Sequence, residues 1–386
     1  HAASTPLRPE ARAALEDALD LVGNPSGQHR WARTARRRLD DARDQVAGSL
    51  GVAPASVTFT SGGTESDNLA VAGVVGAVGG IPVCSAVEHH AVLEAVRRRG
   101  GRAVAVDSTG SLDLEALEAA LVEAGDVAVV SVMTANNETG RLQEIDAVAE
   151  VVRRAAPSAL VHTDAVQAAC WVDLAEATAG ADLVTLSAHK FGGPKGVGVL
   201  VVRGDVAIEP LVVGGGQERG RRSGTQDVAG IAATGVALAE ATRDRVASAA
   251  RVSALADRLL DGLVRSTVGV HPTLAGVPRG GRLPGICHVC VDGIETEALV
   301  VAAEQRDVML SAAASCASGA AEPSHVLASM GLPADRAAGS VRLSLGWCST
   351  DRDVERALVA LPAAISQLRT GSATGAGRDP FGGATR

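Results

Sequence analysis

Lysine is nearly absent from this chain of 386 residues: its 36 basic residues are 34 arginines and two lysines, Lys190 and Lys195. Arginine keeps its proton and cannot serve as a neutral amine. A lysine retained against so strong a bias is expected where the protein needs an amine. Once burial or a nearby cation has removed its proton, that amine can form a Schiff base with an aldehyde. Two chance lysines in a surface turn are the alternative.

Tyrosine is absent and aromatic residues make up only 2% of the chain, which excludes large stacking platforms for single-stranded nucleic acid. The formal net charge of -8 also argues against a general nucleic-acid binder, so no direct nucleic-acid contact is expected. No apolar run reaches the ~20 residues that cross a bilayer, and no signal-like segment opens the chain. We therefore expect a cytoplasmic protein that does not bind a membrane.

Cysteine is also scarce, and six residues in a chain of this length indicate reduced thiols rather than a disulfide framework. Cys287 and Cys290 have the spacing of a metal or redox pair. They lie within a strand pattern, where residues i and i+3 point to opposite faces, and no second pair of suitable spacing accompanies them. No metal site is predicted.

Hydrophobic residues, by contrast, make up 46% of the chain, enough for a large core divided into two or three lobes. Between residues 57 and 186, short apolar strand patterns alternate with helical patterns. Such alternation is typical of a mostly parallel sheet with helices on both faces. The sequence therefore predicts an α/β fold.

Polar residues follow four of the predicted strands and should meet, because ligands of such sheets bind at the carboxyl ends of the strands. The four clusters are Glu88-His89-His90, Asn136-Asn137-Glu138, Asp164 with Gln167, and Ser187-Ala188-His189-Lys190. Any one cluster alone is also consistent with a turn or a helix cap. Their convergence on one crevice predicts an active site.

A strand pattern at Val57–Thr60 is followed by Ser61-Gly62-Gly63-Thr64 and a helical run. Free N–H groups at a helix start, together with the hydroxyls of Ser61, Thr64 and Ser66, can hold a phosphate. The segment lacks the ending of the nucleoside-triphosphate loop and does not match the dinucleotide motif. An N-capping turn of the same residues is the alternative.

The second half of the chain begins with a loop rich in glycine and arginine at residues 214–225, which could contact anions. A helical stretch from about Asp227 to Leu263, interrupted once, leads to strand and helix patterns that predict a smaller α+β domain. We place the large domain at residues 12–245 and the small domain at residues 1–11 and 246–370. Residues 371–386 lack periodicity and are predicted to be a disordered tail.

Together these segments resemble the cysteine desulfurases of the iron–sulfur-cluster assembly type, class-V aminotransferases of fold type I that use pyridoxal 5'-phosphate (PLP). The likeness runs from residue 1 to about residue 369. It implies a large domain with a mostly parallel seven-stranded sheet flanked by helices, and a smaller α+β domain. The motifs that carry it are residues 60–66, 87–90, 136–138, 187–190 and 214–225, Asp164 with Gln167, and Cys316 with Glu322-Pro323-Ser324-His325.

The resemblance implies a PLP site in which Lys190 joins the cofactor as a Schiff base and Asp164 pairs with the pyridine nitrogen. His89 stacks on the ring and acts as acid or base. The other implied cofactor contacts are Asn137 and Gln167 at the phenolic oxygen, Thr64, Ser187 and His189 at the phosphate with Gly63 beside them, and Thr225 from the neighbouring subunit of a homodimer.

For the substrate, the resemblance implies that Arg342 receives the carboxylate of L-cysteine, with Asn24 and Asn137 as further contacts. Asn24 lies in a break between two helical patterns, where ordinary turn chemistry explains it equally well. Cys316 is the implied nucleophile, in an extended mobile loop. It takes sulfur as a persulfide, leaves L-alanine, and delivers the sulfur to an acceptor protein, either an iron–sulfur scaffold or a thiolation enzyme.

Two alternatives stay open at this point. A relative that acts on selenocysteine or on another amino acid would depend less on Cys316. The residues before that cysteine, Ala313-Ala314-Ser315, differ from the Gly-Ser-Ala that is usual in the family. A sulfur-transfer scaffold with a vestigial PLP site is a different class of protein, although the residues that match the functional PLP site are all present.

Overall fold

The structure is a computed structural model that describes residues 1–312 and 324–375, with side chains up to residue 370. Its large sheet has seven strands, which confirms the predicted fold class. The strands are β1 (Val57–Thr60), β2 (Ile81–Ser85), β3 (Arg102–Val104), β4 (Val127–Ser131), β5 (Leu160–Asp164), β6 (Leu183–Ser187) and β7 (Gly198–Val202).

The spatial order of the strands is β1-β7-β6-β5-β4-β2-β3. From β6 to β3 all neighbours are parallel, whereas β7 runs antiparallel to both β6 and β1. The central strands β4 and β6 are buried along their whole length, as expected for a parallel sheet covered on both faces. The carboxyl ends of β4, β5 and β6 therefore lie side by side at one edge of the sheet.

Helices cover both faces of this sheet. In α2 the side chains of Ala35, Leu39, Ala42 and Val46 are buried, and this spacing of three to four residues places them on one face of the helix. The helices up to residue 177 are α1 (Pro9–Leu19), α2 (Arg30–Leu50), α3 (Gly63–Asn68), α4 (Val74–Val78), α5 (His90–Arg98), α6 (Leu114–Ala124), α7 (Ile145–Ala155) and α8 (Leu174–Ala177).

A continuous helix of 39 residues, α9 (Val228–Ser266), links the two parts of the chain, so the predicted interruption is wrong. Proline is absent from the whole helix and glycine from its middle third, which removes the usual causes of a break. Its first half packs into the core of the large sheet through Ile231 and Leu238. Its second half packs into a separate core through Leu255 and Leu263.

The second core belongs to a four-stranded antiparallel sheet of spatial order β10-β11-β9-β8. This is the predicted smaller α+β region, although the domain boundaries themselves stay a prediction. The last helix continues to Gly375 and so includes the first five residues, 371–375, of the predicted tail. The elements are β8 (Val270–Pro272), β9 (Ile286–Val291), α10 (Thr296–Glu304), β10 (Ser311–Ala312), α11 (His325–Ser329), α12 (Ala334–Ala337), β11 (Ser340–Ser344) and α13 (Asp351–Gly375).

Candidate active site

Lys190 ends a single turn, Ala188–Lys190, that follows directly on β6. Ala188 and Phe191 are fully buried, so the backbone of the turn is held on both sides of the lysine. The Lys190 side chain is half-buried, and its Nζ donates a hydrogen bond to the carbonyl oxygen of Ala2 over 2.6 Å. By contrast, Lys195 is exposed. The structure therefore distinguishes the two lysines and places only Lys190 at a strand end beside a cavity.

Asp164 ends β5, the strand next to β6, and is only 6% exposed. Its Oδ1 accepts a hydrogen bond from the backbone N–H of Val166 over 2.9 Å. Burial raises the pKa of Asp164 to about 6, although the Val166 N–H and the positive charge of Lys190 act in the opposite direction. A cationic ligand group in this pocket would favour the ionised carboxylate further.

His89 forms the N-cap of α5, where its Nδ1 accepts a hydrogen bond from the backbone N–H of Ala91 over 3.1 Å. This contact assigns the ring proton to Nε2. Burial, with the positive charge of Lys190 second, lowers the pKa of His89 to about 4. At neutral pH the cavity is therefore lined by an uncharged imidazole ring, which suits stacking on a flat ligand.

The predicted anion cradle forms at the start of α3. A Cβ added to Gly63 would lie 3.2 Å from Val166 Cγ2 and 3.3 Å from Ser187 Cβ, so a side chain there would crowd the cradle. Thr64 and the Ser187 hydroxyl line the same space together with His189. Burial lowers the pKa of His189 to about 4, with Lys190 and Lys195 adding to the effect. The cradle thus offers hydroxyl and N–H groups on a fixed backbone.

Arg342 reaches this cavity from β11 of the second sheet and is 4% exposed. Its Nη1 donates to the carbonyl oxygen of Asn137 over 2.7 Å, and its Nη2 contacts Ser311 Oγ at 3.4 Å. Gln167, which also lines the cavity, donates from Nε2 to the carbonyl oxygen of Ala2 over 2.9 Å. The cavity is therefore closed by side chains from both sheets and by the first residues of the chain.

The cavity has a volume of about 320 Å³, within the range of small-ligand sites. It brings together ten residues predicted from the sequence or the resemblance: Gly63, Thr64, His89, Asn137, Asp164, Gln167, Ser187, His189, Lys190 and Arg342. The rest of its lining is Ala2, Ala3, Asp67, Met133 and Val166. The structure thus makes one site of segments that are up to 340 residues apart in the chain.

Three residues implied by the resemblance are not among those that line the cavity, and neither are two hydroxyls of the predicted cradle, since Ser61 is exposed and Ser66 Oγ lies 2.7 Å from Thr60 Oγ1. Asn24 is exposed, and its Oδ1 accepts a hydrogen bond from the backbone N–H of Ser26 over 2.9 Å. This is the hydrogen bond of an ordinary turn, the alternative to a substrate contact. Thr225 is exposed in the glycine- and arginine-rich loop. Cys316 lies outside the described residues. The roles of all three stay predictions.

Asp67 is the main polar residue of the cavity that the sequence analysis missed. It follows Thr64 by three residues on one helix, a spacing that places both on the same face, so the cradle motif contained the signal. Asp67 is 1% exposed, and its Oδ1 has no hydrogen-bond partner among the described residues. Burial, with the charges of Asp164 and Glu88 adding to it, raises the pKa of Asp67 well above its usual value.

His162 lies two residues before Asp164 on β5, on the same face of the strand, and is fully buried. Its Nδ1 is 2.7 Å from Ser131 Oγ, and its Nε2 is 3.0 Å from Thr185 Oγ1 and 3.7 Å from Asp67 Oδ1. Burial lowers the pKa of His162 to about 3. The folded protein therefore keeps this histidine neutral, whereas the unfolded chain protonates it below about pH 6.5.

This difference predicts an acid sensitivity that a His162→Gln variant lacks. Because the unfolded chain binds the extra proton, the contribution of His162 to stability is lost progressively as the pH falls from about 6.5 toward 3. Between about pH 7 and pH 5, the free energy of unfolding of the wild type should fall by about 2 kcal/mol more than that of the variant. Urea unfolding of both cofactor-free proteins measures this, and identical pH dependences would contradict it.

The residues of the cavity fit PLP. The cofactor requires an amine for its aldehyde, a carboxylate for its pyridine nitrogen and an anion cradle for its phosphate. Lys190, Asp164 and the space beside Gly63 supply these three features around one cavity. Among the described residues, no cluster of three or more His, Cys, Asp or Glu side chains is arranged to hold a metal ion. The fold and the site define a PLP enzyme of fold type I.

Comparison with known proteins agrees with this class. The family model for class-V aminotransferases matches residues 1–357. The chain is 40% identical over 389 residues to an IscS-like cysteine desulfurase of Mycobacterium tuberculosis, covering 98% of each chain. It is 40% identical over 391 residues to a cysteine desulfurase of Cereibacter sphaeroides, covering 97% of each. A solved NifS-like protein superposes with a TM-score of 0.87 at 32% identity, covering 95% of this chain and 98% of the other.

The chain belongs to the class-V aminotransferase family, and within that family to the PLP-dependent cysteine desulfurases. The expected enzyme class and cofactor are therefore confirmed. Within residues 1–312 and 324–375, no helix is long and apolar enough to cross a bilayer.

Proposed function

We propose that this enzyme removes sulfur from L-cysteine, leaves L-alanine, holds the sulfur as a persulfide on Cys316 and passes it to an acceptor protein. The observation that carries the proposal is the meeting of Lys190, Asp164 and Arg342 around one cavity. An amine, a carboxylate and a buried guanidinium are the groups required to bind an amino acid next to PLP. The relatives named cysteine desulfurases support cysteine as that amino acid.

In this site Lys190 would hold PLP covalently, Asp164 would keep a proton on the pyridine nitrogen, and His89 would lie against the ring. PLP, when bound, withdraws electrons from the substrate Cα and so makes the Cα proton acidic. The guanidinium of Arg342 would bind the substrate carboxylate in a planar, two-bond geometry. This orientation would direct the Cα proton toward the Lys190 amine, which would act as the base once it is free of the cofactor.

Cys316 would act on the sulfur of the substrate. Its thiolate attacks the substrate sulfur, so that a sulfur–sulfur bond forms on Cys316 as the bond between the substrate sulfur and Cβ breaks. Cβ then gains a proton and the Lys190 ammonium returns a proton to Cα, which completes L-alanine. The persulfide is discharged when a thiol of an acceptor protein takes the outer sulfur. The acceptor that we propose is an iron–sulfur scaffold or a thiolation enzyme.

The working form that we propose is a homodimer in which Thr225 completes the phosphate cradle of the partner subunit. In the single chain Thr225 is exposed and is not among the residues that line its own cavity. The segment just before this loop, residues 211–213, exposes three apolar side chains, Leu211, Val212 and Val213, which a second subunit would cover.

A cytoplasmic location is part of the proposal, and the five unpaired cysteines of the described residues support a reducing compartment.

A Cys316→Ala variant tests the sulfur step. It should bind PLP and show its yellow colour as the wild type does, but release of sulfide from L-cysteine in the presence of a thiol reductant should fall at least a hundredfold. Mass spectrometry without reductant should find one additional sulfur atom on the Cys316 peptide of the wild type only. The matched control is Cys348→Ala, which removes a half-buried cysteine that is not among the cavity-lining residues and should release sulfide at the wild-type rate.

Undiminished sulfide release by Cys316→Ala would remove Cys316 from the mechanism. Release of selenide from selenocysteine by that variant, with little turnover of cysteine by the wild type, would favour the selenocysteine lyase. A colourless wild-type protein that still binds sulfur-transfer partners would favour the scaffold.

A further inference from the structure

The loop that carries Thr225 contains two consecutive residues in a left-handed backbone conformation, Glu218 (φ 48°) and Arg219 (φ 59°). Residues with a Cβ rarely adopt this conformation, and it persists only where the surroundings enforce it. The side chain of Glu218 is buried although it belongs to a surface loop, and its contacts hold this backbone in place.

The Glu218 carboxylate accepts four hydrogen bonds. Arg43 donates two of them in a parallel pair, from Nη1 to Oε2 and from Nη2 to Oε1, each over 2.9 Å. The backbone N–H of Phe59 donates to Oε2 over 2.9 Å, and Gln226 Nε2 donates to Oε1 over 3.1 Å. A buried carboxylate with a bidentate guanidinium and two further donors is fully satisfied, and its orientation is fixed.

Arg43 is itself held in place. It lies on the inner face of α2 with a side chain that is 8% exposed, and its Nη1 also donates to the carbonyl oxygen of Val57 over 2.6 Å. Its guanidinium lies 4.8 Å from the ring centroid of Phe59. Arg43 thus connects α2 and β1, both parts of the rigid core, to Glu218 in the loop.

The two residues on either side of Thr225 are tied to this arrangement. The backbone N–H of Gly224 donates to Gln217 Oε1 over 2.8 Å, and Gln226 Nε2 donates to Glu218 Oε1 over 3.1 Å. Thr225 itself stays exposed between them. The exposed Thr225 therefore lies between two residues that are held, Gly224 through its backbone N–H and Gln226 through its side chain.

We propose that Glu218, clamped by Arg43, is a positioning residue that holds Thr225 in the geometry needed to complete the phosphate site of the partner subunit. The proposal rests on the homodimer put forward under the proposed function. Its consequence is that the Arg43–Glu218 pair of one subunit controls the PLP affinity of the other. A merely structural pair would affect the stability of its own subunit instead.

Heterodimers separate these two roles. One subunit carries Lys190→Ala, so that only the other subunit retains the covalent PLP site. In the first arrangement Glu218→Gln is placed in the Lys190→Ala chain, and the working site receives its loop from the altered chain. In the second arrangement Glu218→Gln is placed in the chain with the working site, which then receives an intact loop. Equilibrium dialysis with PLP gives the dissociation constant of each.

The first arrangement should bind PLP about tenfold more weakly than the heterodimer with Lys190→Ala alone, as expected for loss of one well-placed hydrogen bond to the phosphate. The second arrangement should lie within roughly twofold of that reference. Thr225→Ala should reproduce this asymmetry. Equal weakening in both arrangements, weakening confined to the second, or no weakening in either would overturn the proposal.

If Glu218→Gln subunits do not fold, Arg43→Lys is used instead. It keeps the buried charge but loses the second, parallel hydrogen bond, and it should give the same asymmetry with a smaller change. An absence of asymmetry would again overturn the proposal. Failure of the proposed homodimer is distinguishable, because the wild-type chain would then elute as a monomer in size-exclusion chromatography and no heterodimer would form.

Discussion

Replacing Lys190 with alanine should abolish turnover of L-cysteine, with a fall in kcat of about a thousandfold or more, and should remove the absorption band of covalently bound PLP. The reason is that this amine both holds the cofactor and takes the substrate Cα proton. Lys190→Arg should fail equally, because a guanidinium keeps its proton and can do neither. Visible absorption spectra and alanine release measure the two effects.

The chain supplies a matched control, since Lys195 is the only other lysine. It is exposed and is not among the cavity-lining residues. Lys195→Arg preserves the charge beside His189 and should keep the covalent PLP band and most of the activity. Loss of the band in Lys195→Arg, with its retention in Lys190→Ala, would show that the two lysines have been assigned the wrong way round.

Replacing Asp164 with asparagine should have the second largest effect, a fall in kcat of about a thousandfold, or about 4 kcal/mol. Asparagine has nearly the same shape and can still accept from the Val166 N–H, but it carries no negative charge to keep a proton on the pyridine nitrogen. PLP should therefore still bind while catalysis is lost. Single-turnover kinetics of alanine formation, with PLP content measured in parallel, separates binding from catalysis.

Asp67→Asn is the comparison for this variant. Asp67 lines the same cavity, but its pKa lies well above the usual value, mainly because of burial. Burial therefore favours the uncharged carboxyl at this position, and exchange for asparagine should change the charge of the site less than Asp164→Asn does. We expect a loss of kcat at least tenfold smaller than that of Asp164→Asn. Equal losses would show that the negative charge is not confined to Asp164.

The alternation of strand and helix patterns was sufficient to predict the sheet, because a parallel sheet requires buried apolar strands that are separated by crossover helices. The strand patterns that the sequence shows between residues 57 and 186 did not include β7. Gly198–Val202 begins immediately after the turn at residues 191–196, and a five-residue apolar run has no periodicity that separates a strand from other buried segments. The predicted break in α9 failed because its polar middle resembles a loop in composition, whereas the helix is held at both ends by two different cores.

For the site, it was sufficient to know that ligands bind at the carboxyl ends of parallel strands. These ends share one edge of the sheet, so Lys190, Asp164 and His89 were predicted to lie together with the cradle. Arg342 could not be found in this way. It lies on the antiparallel β11, opposite His288 of β9, and reaches the cavity only through packing of the second sheet against the first. The resemblance supplied it. Thr225 likewise came from the resemblance alone, because the rule for strand ends says nothing of a residue that is expected to act in a partner subunit.

Reduction with borohydride followed by peptide mass spectrometry tests the central claim most directly, because it converts the bond between lysine and PLP into a stable label. The label should be found on the peptide that contains Lys190, at about one PLP per chain, and should be absent from the Lys190→Ala variant. A label on Lys195, or no label on a protein that turns over cysteine, would contradict the account.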